Sequence, residues 1–249
     1  MYVYFMFICL GGHMSLIIVS CENNICHIQM NRAPVNAVNG QMHRELIDVF
    51  TDASEQDDIH VVLLSSTVKG FCAGQDLKDG IENTSNEHFE QSHAQRLATR
   101  NAIYHCKKPV IAAVHGFVIG FGVTICSVCD LIVAAENTYF SIPEIRHGHI
   151  GAGTGANILV PDKLARYMAY TGNSVSVAEV AKFGAINKVV PKSDLLKESM
   201  QIARDISSSH LIAVQYFKQA FNQNQDNGLA AKADLEYNFA KKLRQKNCR

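Results

Sequence analysis

The chain has 249 residues, 47% hydrophobic and 18% charged, and its 23 Lys+Arg balance 23 Asp+Glu, so its formal charge is zero with histidine neutral. That balance excludes a basic nucleic-acid binder and a polybasic membrane-surface binder. The apolar content excludes disorder as the dominant state, and a chain of this size buries roughly 70–75% of its unfolded surface in one large core or two small ones.

Eight cysteines (Cys9, Cys21, Cys26, Cys72, Cys106, Cys126, Cys129 and Cys248) are scattered along the chain, most of them in apolar or strand-like surroundings. This is the pattern of reduced thiols in a cytoplasmic protein rather than of a disulfide frame. Cys126 and Cys129 form a lone C-x-x-C inside the apolar run GVTICSVCDLIV, with no second pair at zinc-ribbon spacing. They read as packing residues of a buried helix. The apolar run Met1 to Leu10 has no Lys or Arg in front of it and no A-x-A-like cleavage site behind it. It is far short of the ~20 residues of a bilayer span. Residues 1–13 are therefore set aside as an N-terminal extension, unstructured or not native. A core domain is expected over 14–190 and a helical C-terminal region over 191–249.

Leu16–Val19 and Ile25–Met30 read as an opening hairpin around the Glu22-Asn23-Asn24 turn. Asn39 can cap a helix that places Met42, Leu46, Val49 and Phe50 on one face. A strand follows at Val61–Ser65 and a weakly patterned helix at Glu87–Tyr104. Val110–Val114 is a continuous apolar run, as in a strand covered on both faces. Gly116–Asp130 reads as a tight loop feeding a buried helix, and Leu131–Ala134 and Tyr139–Ser141 as strands. Beyond Ala156 the pattern turns helical, at Pro161–Tyr170, Val177–Phe183, Ser193–Ile206, Leu211–Asn222 and Leu229–Leu243, with only Lys188–Val190 strand-like. Strands first and helices later indicate a mixed α/β core followed by helices.

Three loops rich in small residues stand out: Lys69–Leu77, His115–Thr124 and Ser141–Gly155. Glycines beside a helix start let main-chain N–H groups approach a ligand oxygen, which suits a developing oxyanion. The second loop spaces its glycines G-x-x-x-G-x-G and misses the dinucleotide fingerprint. The third lacks a P-loop lysine, and no G-x-S-x-G elbow occurs in the chain, so serine hydrolysis has no evident nucleophile.

The segments NRAPVNA (Asn31–Ala37), FCAGQDL (Phe71–Leu77), KPVIAAVHG (Lys108–Gly116) and FSIPE (Phe140–Glu144) follow one another along the chain. Together they resemble four signatures of the enoyl-CoA hydratase/isomerase, or crotonase, superfamily. The resemblance implies a crotonase-like α/β fold, a spiral of ββα units packed as two roughly perpendicular sheets, with C-terminal helices that trimerise similar proteins. It implies an acyl-CoA thioester substrate, with CoA as part of that substrate and no metal or redox cofactor. A homotrimer or hexamer is expected, with neither nucleic acid nor membrane as partner.

Carried over residue by residue, the resemblance makes the main-chain N–H groups of Gln75 and Phe121 the pair that holds the thioester oxygen, and Glu144 the general acid/base. Desolvation at the lip of an apolar pocket suits a carboxylate to exchange protons with carbon near neutral pH. Substrate-lining positions follow at Ala73, Gly74, Asp76, Leu77, Lys78, Gly120, Gly122, Thr124 and Ala152. Asp76 is expected to orient its loop, and Lys78 either meets the CoA phosphates or is an exposed lysine without a role. His147 and His149, beside Arg146, read as a solvated loop rather than a metal pair.

Similar hydratases carry a second glutamate where this chain has Thr124, and some isomerases carry theirs where it has Ala152. One carboxylate suffices to move a double bond, whereas two hold and activate an adding water; hydration and isomerisation both stay open. A catalytically silent acyl-CoA-binding or scaffold subunit is the rival reading, and a thioester hydrolase or decarboxylase a third. Relatives also continue with an E-G-x-x-A-F-x-E-K-R helix that helps cover the acyl-CoA site; here the sequence is either naturally short or truncated.

Overall fold

The structure, a computed structural model, describes residues 4–5, 15–76, 85–223, 225, 237–238 and 241. Its largest sheet has seven strands in the order β1 (Tyr4–Phe5), β2 (Ile17–Glu22), β3 (Ile25–Met30), β5 (Val61–Ser66), β7 (Val110–Val114), β9 (Leu131–Ala135) and β12 (Lys188–Val190). From β3 to β12 all neighbours run parallel, while β1, β2 and β3 pair antiparallel. The expectation that residues 1–13 stand outside the fold fails at Tyr4–Phe5, which pair with Cys21 and Ser20. An edge strand leaves a row of main-chain groups unpaired, and a short segment of any composition can meet them.

Alternation divides each parallel strand between two cores. Val62, Leu64, Val110, Ala112, Val114, Ile132 and Ala134 face one, and Val61, Leu63, Ile111, Ala113, Val133 and Ala135 the other. That is why these segments read as unbroken apolar runs. The first core is covered by α1 (Gly40–Glu55), whose Met42, Leu46, Val49, Phe50 and Ala53 are buried. Asn39 caps this helix, its side chain accepting from Met42 N–H at 2.9 Å, a contact worth ~1 kcal/mol. Buried Glu45 accepts from the N–H groups of Leu16 and Ile17 and fixes the entry of β2. α2 (Asn86–Tyr104) lies against α1.

The second core is closed by α7 (Leu195–Ser207), which contributes Leu195 and Ala203. The expected boundary at residue 190 thus cuts through the core: a sheet apolar on both faces needs a helix on each. Residues 211–223 form a further helix, pinned where Lys218 Nζ donates to Asp130 Oδ2 (2.7 Å) and Lys108 O (2.9 Å). Asp130 also accepts from Val110 N–H. The expected helix over 229–243 lies outside the described residues except at 237–238 and 241. Cys126 and Cys129 are buried at the end of α3 (Phe121–Ser127), where desolvation raises both thiols and leaves them inert packing groups.

Candidate active site

The three glycine-bearing loops follow carboxyl ends of strands, and the structure lays them side by side. The first follows β5 and ends in the two-residue strand β6 (Gly74–Gln75), which pairs with β4 (Ala37–Val38). The second contains β8 (Phe117–Ile119), and the third grows from β10 (Tyr139–Ser141). Cys72 N–H donates to Phe117 O (3.2 Å) and Ile119 N–H to Cys72 O (2.9 Å), joining first to second. Gly120 N–H donates to Ser141 O (2.9 Å), and β8 pairs parallel with β10, joining second to third. Segments far apart in sequence become neighbouring strands with their tips together.

The Asn31–Ala37 motif is the buttress for the first loop. Asn36, fully buried, donates from Nδ2 to Phe71 O (3.0 Å) and to Ser66 Oγ (2.8 Å). Arg32 pairs with Asp76 at 2.7 Å and donates to Ala37 O, which ties the end of the first loop to this motif.

The main-chain N–H groups of Gln75 and Phe121 are set by these loops. Asp76 N–H donates to Val38 O (2.9 Å), and Val38 stands opposite Gln75. Successive peptide groups of a strand alternate in direction, so Gln75 turns its own N–H away from β4. Phe121 opens α3, where the first N–H groups have no carbonyl one turn earlier to bond, and its cap Gly120 provides no side-chain acceptor. Gly74 stands between them: a methyl group there would lie 3.5 Å from Phe121 N and 3.1 Å from Ile119 O. Gly74 and Gly120 have φ of +95° and +53°, a region that favours glycine, while Phe121 is not among the positive-φ residues.

Glu144 lies in the first turn of a 3-10 helix (Pro143–His147) that continues from β10. A methyl group at Gly120 would come within 2.6 Å of Glu144 Oε1, and one at Gly151 within 3.6 Å, so the carboxyl group rests over both glycines. Its Oε2 is shielded from solvent. Gly122 is pressed against Cys72, whose backbone oxygen would be 2.9 Å from an added methyl group. Burial pushes the Cys72 thiol up to about 12, and its Sγ donates to Asn36 O. Thr124 lies one turn after Phe121 on the same helix face, and α4 (Gly153–Leu159) packs on it through Gly155. Ala152, at φ +58°, caps α4.

Of the site residues expected from sequence, Gly74, Gly120, Phe121 and Glu144 therefore converge directly, and Gln75 follows Gly74 in the chain. Ala73, Asp76, Gly122, Thr124 and Ala152 belong to the segments that frame them. Leu77 and Lys78 lie outside the described residues. Arg146 is engaged elsewhere, donating to Thr171 O and Asn173 Oδ1, and His147 and His149 are exposed. No group of three His, Cys, Asp or Glu side chains among the described residues is arranged to hold a metal ion. No helix among them is long and apolar enough to cross a membrane. Sequence reasoning missed His43, which reaches Gln75 from α1. The available signal was its place on the buried face, three and seven residues before Leu46 and Phe50.

The family model described as Enoyl-CoA hydratase/isomerase matches residues 20–249. The chain belongs to the enoyl-CoA hydratase/isomerase family. It is 32% identical over 81% of each chain to the (7aS)-7a-methyl-1,5-dioxo-2,3,5,6,7,7a-hexahydro-1H-indene-carboxyl-CoA hydrolase of Mycobacterium tuberculosis. It is 31% identical to the 2,3-dehydroadipyl-CoA hydratase of Escherichia coli, covering 88% of this chain and 86% of that one. Among solved structures, a probable enoyl-CoA hydratase from Mycobacterium thermoresistibile superposes with a TM-score of 0.86 at 29% identity, over 93% of this chain and 97% of that one. The crotonase-like fold and the acyl-CoA character of the family's enzymes follow from these matches, and the α/β expectation holds.

Proposed function

We propose that this member of the hydratase/isomerase family transfers a proton on an unsaturated acyl-CoA thioester through an enolate, with Glu144 as its single acid/base. The observation that carries the reading is the convergence of Glu144 Oε1, Gly120 and Phe121 N with Gly74, the residue before Gln75. Two preorganised N–H donors stabilise charge as it develops on the thioester oxygen, and losing one such donor costs ~3–4 kcal/mol of barrier. A carboxylate beside that oxygen removes a proton from one carbon and returns it to another. Thr124 presents a hydroxyl, which is not a base at pH 7. Double-bond migration needs no second carboxylate, so isomerisation is the reaction these side chains perform unaided.

The test is incubation with panels of 2-enoyl- and 3-enoyl-CoA thioesters. Migration changes absorbance at constant mass, and hydration adds the mass of one water. Glu144→Gln removes the base while keeping shape. A loss of at least about 100-fold in turnover with CoA-thioester binding retained is expected. A wild type without turnover on either panel refutes the proposal in favour of a silent binding subunit. The hydrolase among the relatives motivates a second reading, hydrolysis at the same donors, recognised by release of free thiol. The reading extends to a homotrimer or hexamer, favoured by the exposed apolar side chains Ile212, Tyr216, Phe217 and Phe221, and sedimentation checks it.

A further inference from the structure

Both donor N–H groups belong to peptide planes that follow a positive-φ glycine: Gly74 precedes Gln75, and Gly120 precedes Phe121. Glycine permits rotation that any other residue would forbid, so these planes need an external lock if the donors are to stay aligned. One buried side chain touches the residue after each glycine. His43, fully buried on α1, shares a hydrogen bond from Nε2 with the Gln75 carboxamide, 3.0 Å to Oε1. Its ring meets the Phe121 ring edge to face, with centroids 5.1 Å apart at 60°, an arrangement aromatic quadrupoles favour. The imidazole is itself held. Nδ1 of His43 lies 2.7 Å from Thr99 Oγ1, so the neutral ring accepts there from the Thr99 hydroxyl and donates from Nε2 to Gln75 Oε1. A buried imidazole is costly unless such partners are present, and here they run from α2 through His43 to the first loop.

We infer that His43 is a positioning residue, which aligns the two main-chain donors by tethering the Gln75 side chain and bracing the Phe121 ring. This rests on the donor role proposed for those N–H groups, so the experiment separates the two. His43→Leu removes the tether while keeping apolar bulk. Gln75→Ala removes it from the other end without touching the core, and it leaves the Gln75 N–H in place.

The full-length variants and the double variant are compared on the enoyl-CoA thioester that the wild type turns over fastest. In parallel, the infrared carbonyl stretch of bound crotonyl-CoA labelled with ¹³C at the thioester carbon is recorded. Each single variant is expected to lose roughly 10- to 100-fold in kcat with KM changed less than about threefold, the size of a modest misplacement of a donor. The double variant falls no further than the worse single, because both changes break one coupling. The bound carbonyl, shifted to lower wavenumber by the wild type, returns toward its free value. His43→Gln, long enough to keep a bond to the carboxamide, recovers part of the loss. Additive losses, or Gln75→Ala with wild-type kcat and an unaltered band, overturn the inference alone. A wild type that leaves the carbonyl unshifted overturns the donor pair, and the inference with it.

Discussion

Gly120→Ala separates the geometry of the site from the stability of the fold. Gly120 has φ +53° and ψ −117°, a conformation that costs an L-residue about 1–3 kcal/mol. For a chain of this size that lowers Tm by roughly 2–4 °C per kcal/mol. The new methyl group would also lie 2.6 Å from Glu144 Oε1, where ordinary contact begins at 3.4 Å. The carboxyl group, the free end of a flexible side chain, gives way by close to 1 Å, and a misplacement of about that size costs on the order of 100-fold in rate. Gly184→Ala is the control: its φ is +78°, and nothing lies within 4 Å of the added methyl group. It bears only the backbone cost, about 1–2 kcal/mol, and keeps its turnover. Thermal denaturation and enoyl-CoA turnover of both variants decide the matter. Wild-type kcat in Gly120→Ala, or equal losses of kcat in the two, would refute the placement of Glu144 against this glycine.

Thr124→Glu places a second carboxylate one turn beyond Phe121, the arrangement the family resemblance implies for hydration. It is expected to raise water addition relative to double-bond migration on a 2-enoyl-CoA by about 10-fold or more, read as mass gain against absorbance change. Arg32→Leu leaves Asp76 buried without its 2.7 Å partner, and urea denaturation should show a loss of about 1–3 kcal/mol. Burial lowers the His27 pKa to about 4 from its ordinary 6.5. Between those values the unfolded chain binds the proton and the folded chain does not, so stability is lost as pH falls from 6.5 toward 4. The difference approaches about 3 kcal/mol near pH 4, and a His27→Gln variant whose stability declines as steeply over that window would contradict it.

The parallel strands were legible because each is buried on both faces, so apolar runs such as Val110–Val114 need no tertiary information to be recognised. The Asn39 cap was legible because its hydrogen bond is local. The strands β4, β6 and β8 were not. Two or three residues carry no period, and these exist because Cys72, Phe117 and Val38 find partners across the chain. His43 also escaped notice, since a polar residue on an apolar face shows its purpose only when Gln75, Phe121 and Thr99 surround it.

Sequence alone determined the family resemblance, the candidate acid Glu144 and the two candidate donors, because motifs in order specify local backbone shape and residue type. Tertiary structure decided that Gly120, and not Phe121, takes the left-handed conformation. It also decided that α7 belongs to the core and that three distant loops meet at one carboxyl group. Hydrogen bonds and contacts between segments far apart along the chain settle such matters, and no local pattern of side chains encodes them.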